Sequence, residues 1–244
     1  SKEQVTLLLK KSLDNHEWRQ RNCINLIPSE MTQSALVRLL QITDPCGRYA
    51  EHKELLAAFE QDVFYYQGTE FIAWTEDRLV NEMKNFLGYP NIETRVISGQ
   101  MANMTVFSAL VDFINRTDRR SEPRRISMVL NNHIGKGGHL SSQPMGALRD
   151  YVAKDPVTEK FSVINFPVLL ENPYRIDLEE TTNLLDRFAP ELVILGKSMI
   201  LHPEPVLEIK NILEKKSLNS TVMYDMAHII GLIGPNFQEP FAEG

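Results

Sequence analysis

Five short β-like runs, at 94–97, 126–130, 161–166, 192–195 and 221–224, alternate with stretches of helical spacing, and this alternation limits the possible folds more than any other feature. The helical stretches are 3–20 (Val5, Leu8, Leu9, Leu13), 76–87 (Leu79, Val80, Met83, Phe86, then Gly88), 177–188 and 203–216 (Leu207, Ile209, Ile212, Leu213). A further helix is predicted to open at Ser98-Gly99-Gln100, with Met101, Met104, Thr105 and Ala109 on its inner face. Strands that alternate with helices predict an α/β fold, a mainly parallel sheet covered by helices. No internal repeat or low-complexity segment points elsewhere.

Composition narrows the function classes. Of 244 residues, 43% are hydrophobic and 24% charged, the ordinary balance of a soluble globular protein. The longest apolar stretches, 166–170 and 229–233, fall short of the roughly 18 residues a membrane span needs, so no membrane association is expected. Two cysteines, Cys23 and Cys46, are too few for a disulfide framework, and Ser1-Lys2-Glu3-Gln4 lacks the layout of a signal peptide. A reducing, cytoplasmic setting is expected. A net charge of −6 gives no general reason to approach nucleic acid, and the basic cluster Arg116, Arg119, Arg120, Arg124, Arg125 reads as a solvated loop.

If the strands run parallel, the residues that follow them converge on one edge, where sheets of this class bind ligands. Those residues are Ser98-Gly99-Gln100, Asn131-Asn132-His133, Gly196-Lys197-Ser198 and Asp225. A partly buried carboxylate such as Asp225 suits a pyridine nitrogen, because pyridoxal phosphate stores electrons only while that nitrogen is protonated. Ser98 to Asn103 forms a strand-to-helix turn whose N–H groups could hold a phosphate, although ordinary tight turns look the same. In the loop Gly137-Gly138-His139-Leu140, preceded by His133 and Lys136, an imidazole could lie flat on a ring and a lysine could not. Ser198 and His228 could donate to a ring oxygen, or merely cap a turn. Glu51 with Tyr65 and Tyr66 would suit proton shuttling, and exposed loop residues would look alike.

Seven stretches, in order, resemble the serine hydroxymethyltransferase family, a branch of the fold-type I pyridoxal phosphate enzymes. They are Leu26-Ile27-Pro28-Ser29-Glu30, Tyr49-Ala50-Glu51, Tyr65-Tyr66-Gln67-Gly68-Thr69-Glu70, Ser98 to Asn103, Gly137-Gly138-His139-Leu140, Arg175-Ile176-Asp177, and the run from Asp225 to Leu232. The resemblance implies pyridoxal 5'-phosphate as cofactor, with Asp225 on the ring nitrogen and His228 and Ser198 near the ring oxygen. It implies that Ser98, Gly99 and Gln100 cradle the phosphate and that Tyr49 reaches the phosphate of a neighbouring subunit. Ser29 would contact the substrate carboxylate, while Glu51 and Tyr65 would move protons. It implies a homodimer with shared active sites, a small amino-acid substrate and tetrahydrofolate as a family co-substrate. The expected division is an N-terminal helical arm, 1–50, and the first part of the cofactor-binding large domain, 51–244.

The departures shape the expectations. Lys136 stands where the family has a His, so His133 is expected to supply the stacking imidazole. A helix-like stretch, 52–64, replaces a short Gly/Pro turn near the folate site, which argues against a tetrahydrofolate requirement. Gln100 stands where the family usually has Ser. No Lys follows Asp225, so the lysine that would hold the cofactor and the arginine that would grip the substrate are expected outside this chain, which reads as the first half of a longer polypeptide. The expected activity makes or breaks the Cα–Cβ bond of a β-hydroxy amino acid. The alternatives are a folate-independent aldolase or transaldolase of the same fold, and a non-catalytic scaffold subunit.

Overall fold

The computed structural model describes residues 1–27, 30–54, 62–117 and 122–243, with the backbone alone at 52–54 and 62–64. Ser29, Arg119 and Arg120 lie outside the described residues. The chain divides into two compact units, Ser1–Gln41 and Ile42–Gly244.

In the first unit, α1 (Lys2–Glu17) starts at a capping box in which the Ser1 side chain accepts from Gln4 N and the Gln4 side chain reaches back. A turn of π-helix follows at Trp18–Asn22, and α2 (Ala35–Leu40) is capped by Ser34. None of the residues in these helices is buried, so the stripe Val5, Leu8, Leu9, Leu13 stays exposed.

The second unit opens with β1 (His52–Glu54) and β2 (Asp62–Phe64), antiparallel with His52 opposite Phe64. The helix expected across 52–64 is therefore not formed at its two ends. There the backbone groups pair across strands instead of along one, and 55–61 lie outside the described residues. Next come α3 (Glu70–Leu87), stopped by Gly88 in the left-handed conformation, and α4 (Gly99–Thr117). Four parallel strands follow: β3 (Val129–Asn131), β4 (Val163–Asn165), β5 (Leu192–Leu195) and β6 (Thr221–Tyr224). Helices α5 (Leu178–Leu185) and α6 (Val206–Lys215) lie between the later strands in sequence.

The sheet order is β4-β3-β5-β6. The chain leaves β3 for β4 on one side and then crosses back to β5 on the other. The β3/β5 boundary is thus the switch point, beyond which sheets of this class form their ligand crevice. The expected strand at 94–97 does not form. Among the described residues it has no strand partner, Ile97 is 87% exposed, and Arg95 bonds Glu93 instead. Ile126 makes a lone parallel bridge with Val152, and the run expected at 126–130 forms its strand only from Val129.

Strand β5 is buried on both faces, as the central strand of a covered parallel sheet should be. Leu192 and Ile194 join the core beneath α4, with Phe107, Leu110 and Leu148. Val193 and Leu195 join the opposite core with Leu185, Ile209 and Leu213 from α5 and α6. Each such side chain contributes roughly 1.5–3 kcal/mol by leaving water. The inner face of α4 is Asn103, Phe107 and Leu110, with Val111 and Ile114 packed alongside. The expected face was a different one: Met101 and Met104 are each 41% exposed.

Candidate functional site at the carboxyl edge of the sheet

Asp225 follows β6 directly, and its backbone N–H donates to Leu195 O at 2.9 Å, which fixes it beside the end of β5. Its carboxylate accepts three hydrogen bonds. Asn103 Nδ2 and Ser141 Oγ each lie 3.2 Å from Oδ2, and Ala227 N lies 3.1 Å from Oδ1. Asn103 belongs to the first turns of α4, so its bond ties the start of that helix to Asp225. At that start Ser98 Oγ caps Met101 N at 3.1 Å, and Ser98, Gly99 and Gln100 are exposed. First-turn N–H groups at an exposed helix start favour an anion.

Two imidazoles flank Asp225. His139 Nδ1 lies 2.6 Å from Ser141 Oγ, and the rings of His139 and His228 are tilted against each other with centroids 5.3 Å apart. Burial, and then the His139 charge, hold His228 below the usual histidine range, while Asp225 pulls the other way. Two buried polar atoms here, His228 Nδ1 and Asn103 Oδ1, have no partner among the described residues. Buried polar atoms are normally satisfied, so both are places for a ligand's polar groups.

Close packing sets the height of the neighbouring loop. Gly196 has φ +111°, and a Cβ there would lie 2.3 Å from Asp225 O. Gly138 is equally tight, its notional Cβ 2.3 Å from Asn132 O. Only glycine allows these loops so near each other.

Other expected residues stand apart from this cluster. Ser198 is exposed two residues beyond Gly196. His133 is exposed, its Nδ1 accepting from Gly135 N at 3.0 Å, and Lys136 is exposed in the same turn. The imidazole that the fold joins to Asp225 is His139, through Ser141. Tyr49 packs on Tyr66 with centroids 5.4 Å apart, and Glu51 O accepts from Tyr65 N at 3.2 Å. The Glu51 charge, and then its hydrogen bond, raise the Tyr66 phenol. Among the described residues, no hydrogen bond joins this tyrosine–glutamate group to Asp225.

The family profile of serine hydroxymethyltransferase matches residues 3–243. The chain belongs to the serine hydroxymethyltransferase family. It is 32% identical to the serine hydroxymethyltransferase of Pyrobaculum islandicum over 99% of this chain and 50% of that protein. Against that of Pyrobaculum calidifontis it is 33% identical, over 99% of the chain and 49% of the relative. The Staphylothermus marinus serine hydroxymethyltransferase is 32% identical over 94% and 46%. The chain thus spans about half the length of the curated relatives it matches. As a partial serine hydroxymethyltransferase domain it is α/β, with a parallel sheet covered by helices, consistent with an incomplete fold-type I domain. No helix among the described residues is long and apolar enough to cross a membrane.

Of the residues singled out in the sequence, Asp225, His228 and the start of α4 lie together, whereas Asn103 and Ser141, which donate to Asp225, were not singled out as site residues. Both are ordinary polar residues whose role appears only when the chain folds. The one usable signal was a polar residue at the head of the periodic series 103, 107, 110, 114.

Proposed function

We propose that the protein is a pyridoxal 5'-phosphate enzyme of the serine hydroxymethyltransferase type, making or breaking the Cα–Cβ bond of a β-hydroxy amino acid such as serine. The observation that carries this reading is the Asp225 carboxylate, held by three donors and tied through Asn103 to the start of α4. One site for a cationic ring nitrogen and one for a phosphate are thereby linked. The two unpartnered polar atoms, His228 Nδ1 and Asn103 Oδ1, support the fit. When bound, the cofactor supplies an electron sink for the pair released at Cα.

The chain's own residues do the rest. Asp225 holds the proton on the ring nitrogen. Ser98, Gly99 and Gln100 bind the phosphate at the helix start, and His228 orients the ring oxygen together with Ser198. His133 is the proposed stacking imidazole. In a homodimer, Tyr49 reaches the phosphate of the neighbouring subunit, Glu51 and Tyr65 move protons at the substrate, and Ser29 contacts its carboxylate.

Titration of pyridoxal phosphate into the protein, followed by visible absorbance and tryptophan quenching, tests the reading. Saturable binding that weakens in Asn103→Leu is expected, with serine cleavage only where the lysine that holds the cofactor and the arginine that grips the substrate are also supplied. Absence of saturable binding would sink it.

A second reading keeps the cofactor and drops tetrahydrofolate, giving an aldolase or transaldolase. The stretch between Glu51 and Tyr65, which departs from the family's short Gly/Pro turn, is what raises it.

A further inference from the structure

A buried ion pair lies beside the site. Lys197 Nζ is 2.7 Å from Glu204 Oε1, their side chains 2% and 1% exposed, and it also donates to Tyr174 O at 2.8 Å. Glu204 Oε2 accepts from Asn132 Nδ2 at 2.8 Å and lies 3.5 Å from Gly196 N. Asn132 follows β3, and Gly196 and Lys197 follow β5. The backbone of Glu204 is gripped on both sides by Gln238, at 3.1 Å to its N–H and 2.7 Å to its carbonyl. Gln238 in turn accepts from the hydroxyl of Tyr224, the last residue of β6, at 3.0 Å. One residue therefore connects the ends of the three strands that meet at the crevice. Two of its connections end beside Asp225, at Tyr224 and at Gly196.

Stability alone gives little reason for this arrangement, since well-packed apolar residues commonly serve as well as a buried ion pair. Geometry gives a better one. A carboxylate offers acceptor sites to Lys197, Asn132 and Gly196 together, whereas an amide would turn an NH2 group toward one of these donors.

We propose that Glu204, paired with Lys197, is a positioning residue for the site: its carboxylate clamps Asn132 and Gly196, and so sets where Asp225 and Ser198 stand at the sheet edge. The effect on cofactor binding rests on the proposed pyridoxal phosphate function; the clamp does not.

The test compares Lys197→Met with the double variant Lys197→Met/Glu204→Gln. Three quantities are followed: the unfolding midpoint, hydrogen exchange of the Asp225 and Met199 amides without cofactor, and the Kd for pyridoxal phosphate. The single variant should lose stability, because it leaves a buried carboxylate unpaired. The double variant should regain most of the midpoint, yet keep exchange about tenfold faster and binding about tenfold weaker, a change of about 1.4 kcal/mol. A double variant in which exchange and Kd return to wild-type values along with the midpoint overturns the proposal and leaves the pair a purely structural one. Should the double variant not fold, Asn132→Leu removes one clamp contact and keeps the ion pair. Faster exchange at Asp225 supports the clamp, and wild-type exchange overturns it. If the unmodified protein binds no pyridoxal phosphate, the functional reading fails, and exchange still decides the clamp.

Discussion

Asp225 takes its three donors from α4, from the loop after β3 and from its own turn, so its position depends on all three. Asparagine at 225 keeps the shape but cannot hold a ring proton. Asp225→Asn should fold normally by circular dichroism and lose activity on the order of a hundredfold or more, as removal of a charge-stabilising group does elsewhere. Near-wild-type serine cleavage in this variant would refute the cofactor assignment. Gly196→Ala forces a Cβ toward Asp225 O at a backbone angle that L-residues avoid. The expected loss, read by urea unfolding, is roughly 1–3 kcal/mol or more. His228 titrates below its reference of 6.5 because burial and then His139 oppose its charge. The unfolded chain therefore takes up the proton more readily. Stability from this group is full above the ordinary value and falls as pH drops through it toward the lower folded value. His228→Gln should flatten that part of a Tm-against-pH profile, and an unchanged slope would show that other groups govern it. Asp225 was legible in sequence because its strand and its following turn are adjacent. Asn103 and Ser141 were not, since they are 122 and 84 residues away from it.

Among the elements, β5 and β6 match their predicted bounds because each is a continuous apolar or β-branched run closed by a polar turn. The run at 94–97 is interrupted by Arg95, which pairs with Glu93, and it stays irregular, since a strand needs a partner and local sequence cannot supply one. Helix α4 teaches a different lesson. Its position was legible from the Ser-Gly turn, but its inner face was not, because the reading passed over a polar residue, Asn103, that is 5% exposed. The corrected face has a measurable consequence. Phe107→Ala should cost about 3–5 kcal/mol in chemical denaturation, as truncating a fully buried aromatic does. Met104→Ser should stay within about 0.5 kcal/mol if that face remains solvated. Similar costs for both would return the helix to the rotation first expected.

For the molecule as a whole, the region between Glu51 and Tyr65 separates the two enzymatic readings. The expected result is that cleavage of threonine or phenylserine proceeds without tetrahydrofolate, because cleavage needs the sink and a base near the hydroxyl and no carbon acceptor. Aldehyde release assayed with and without folate checks this. Strict folate dependence on serine, with no release from the bulkier substrates, would remove the aldolase alternative. The strand order carries a further consequence, for the time at which the site comes into being. Because β6 follows β3, β4 and β5 in sequence, Asp225 reaches Asn103 only by closing a separation of 122 residues. Non-local closures of this kind come late in folding, and synthesis delivers the N-terminal partner first. Capture of a ligand by Asp225 thus marks a chain in which β3, β5 and β6 are already paired, and a chain stalled before β6 would expose the start of α4 without the carboxylate that gives it chemical meaning.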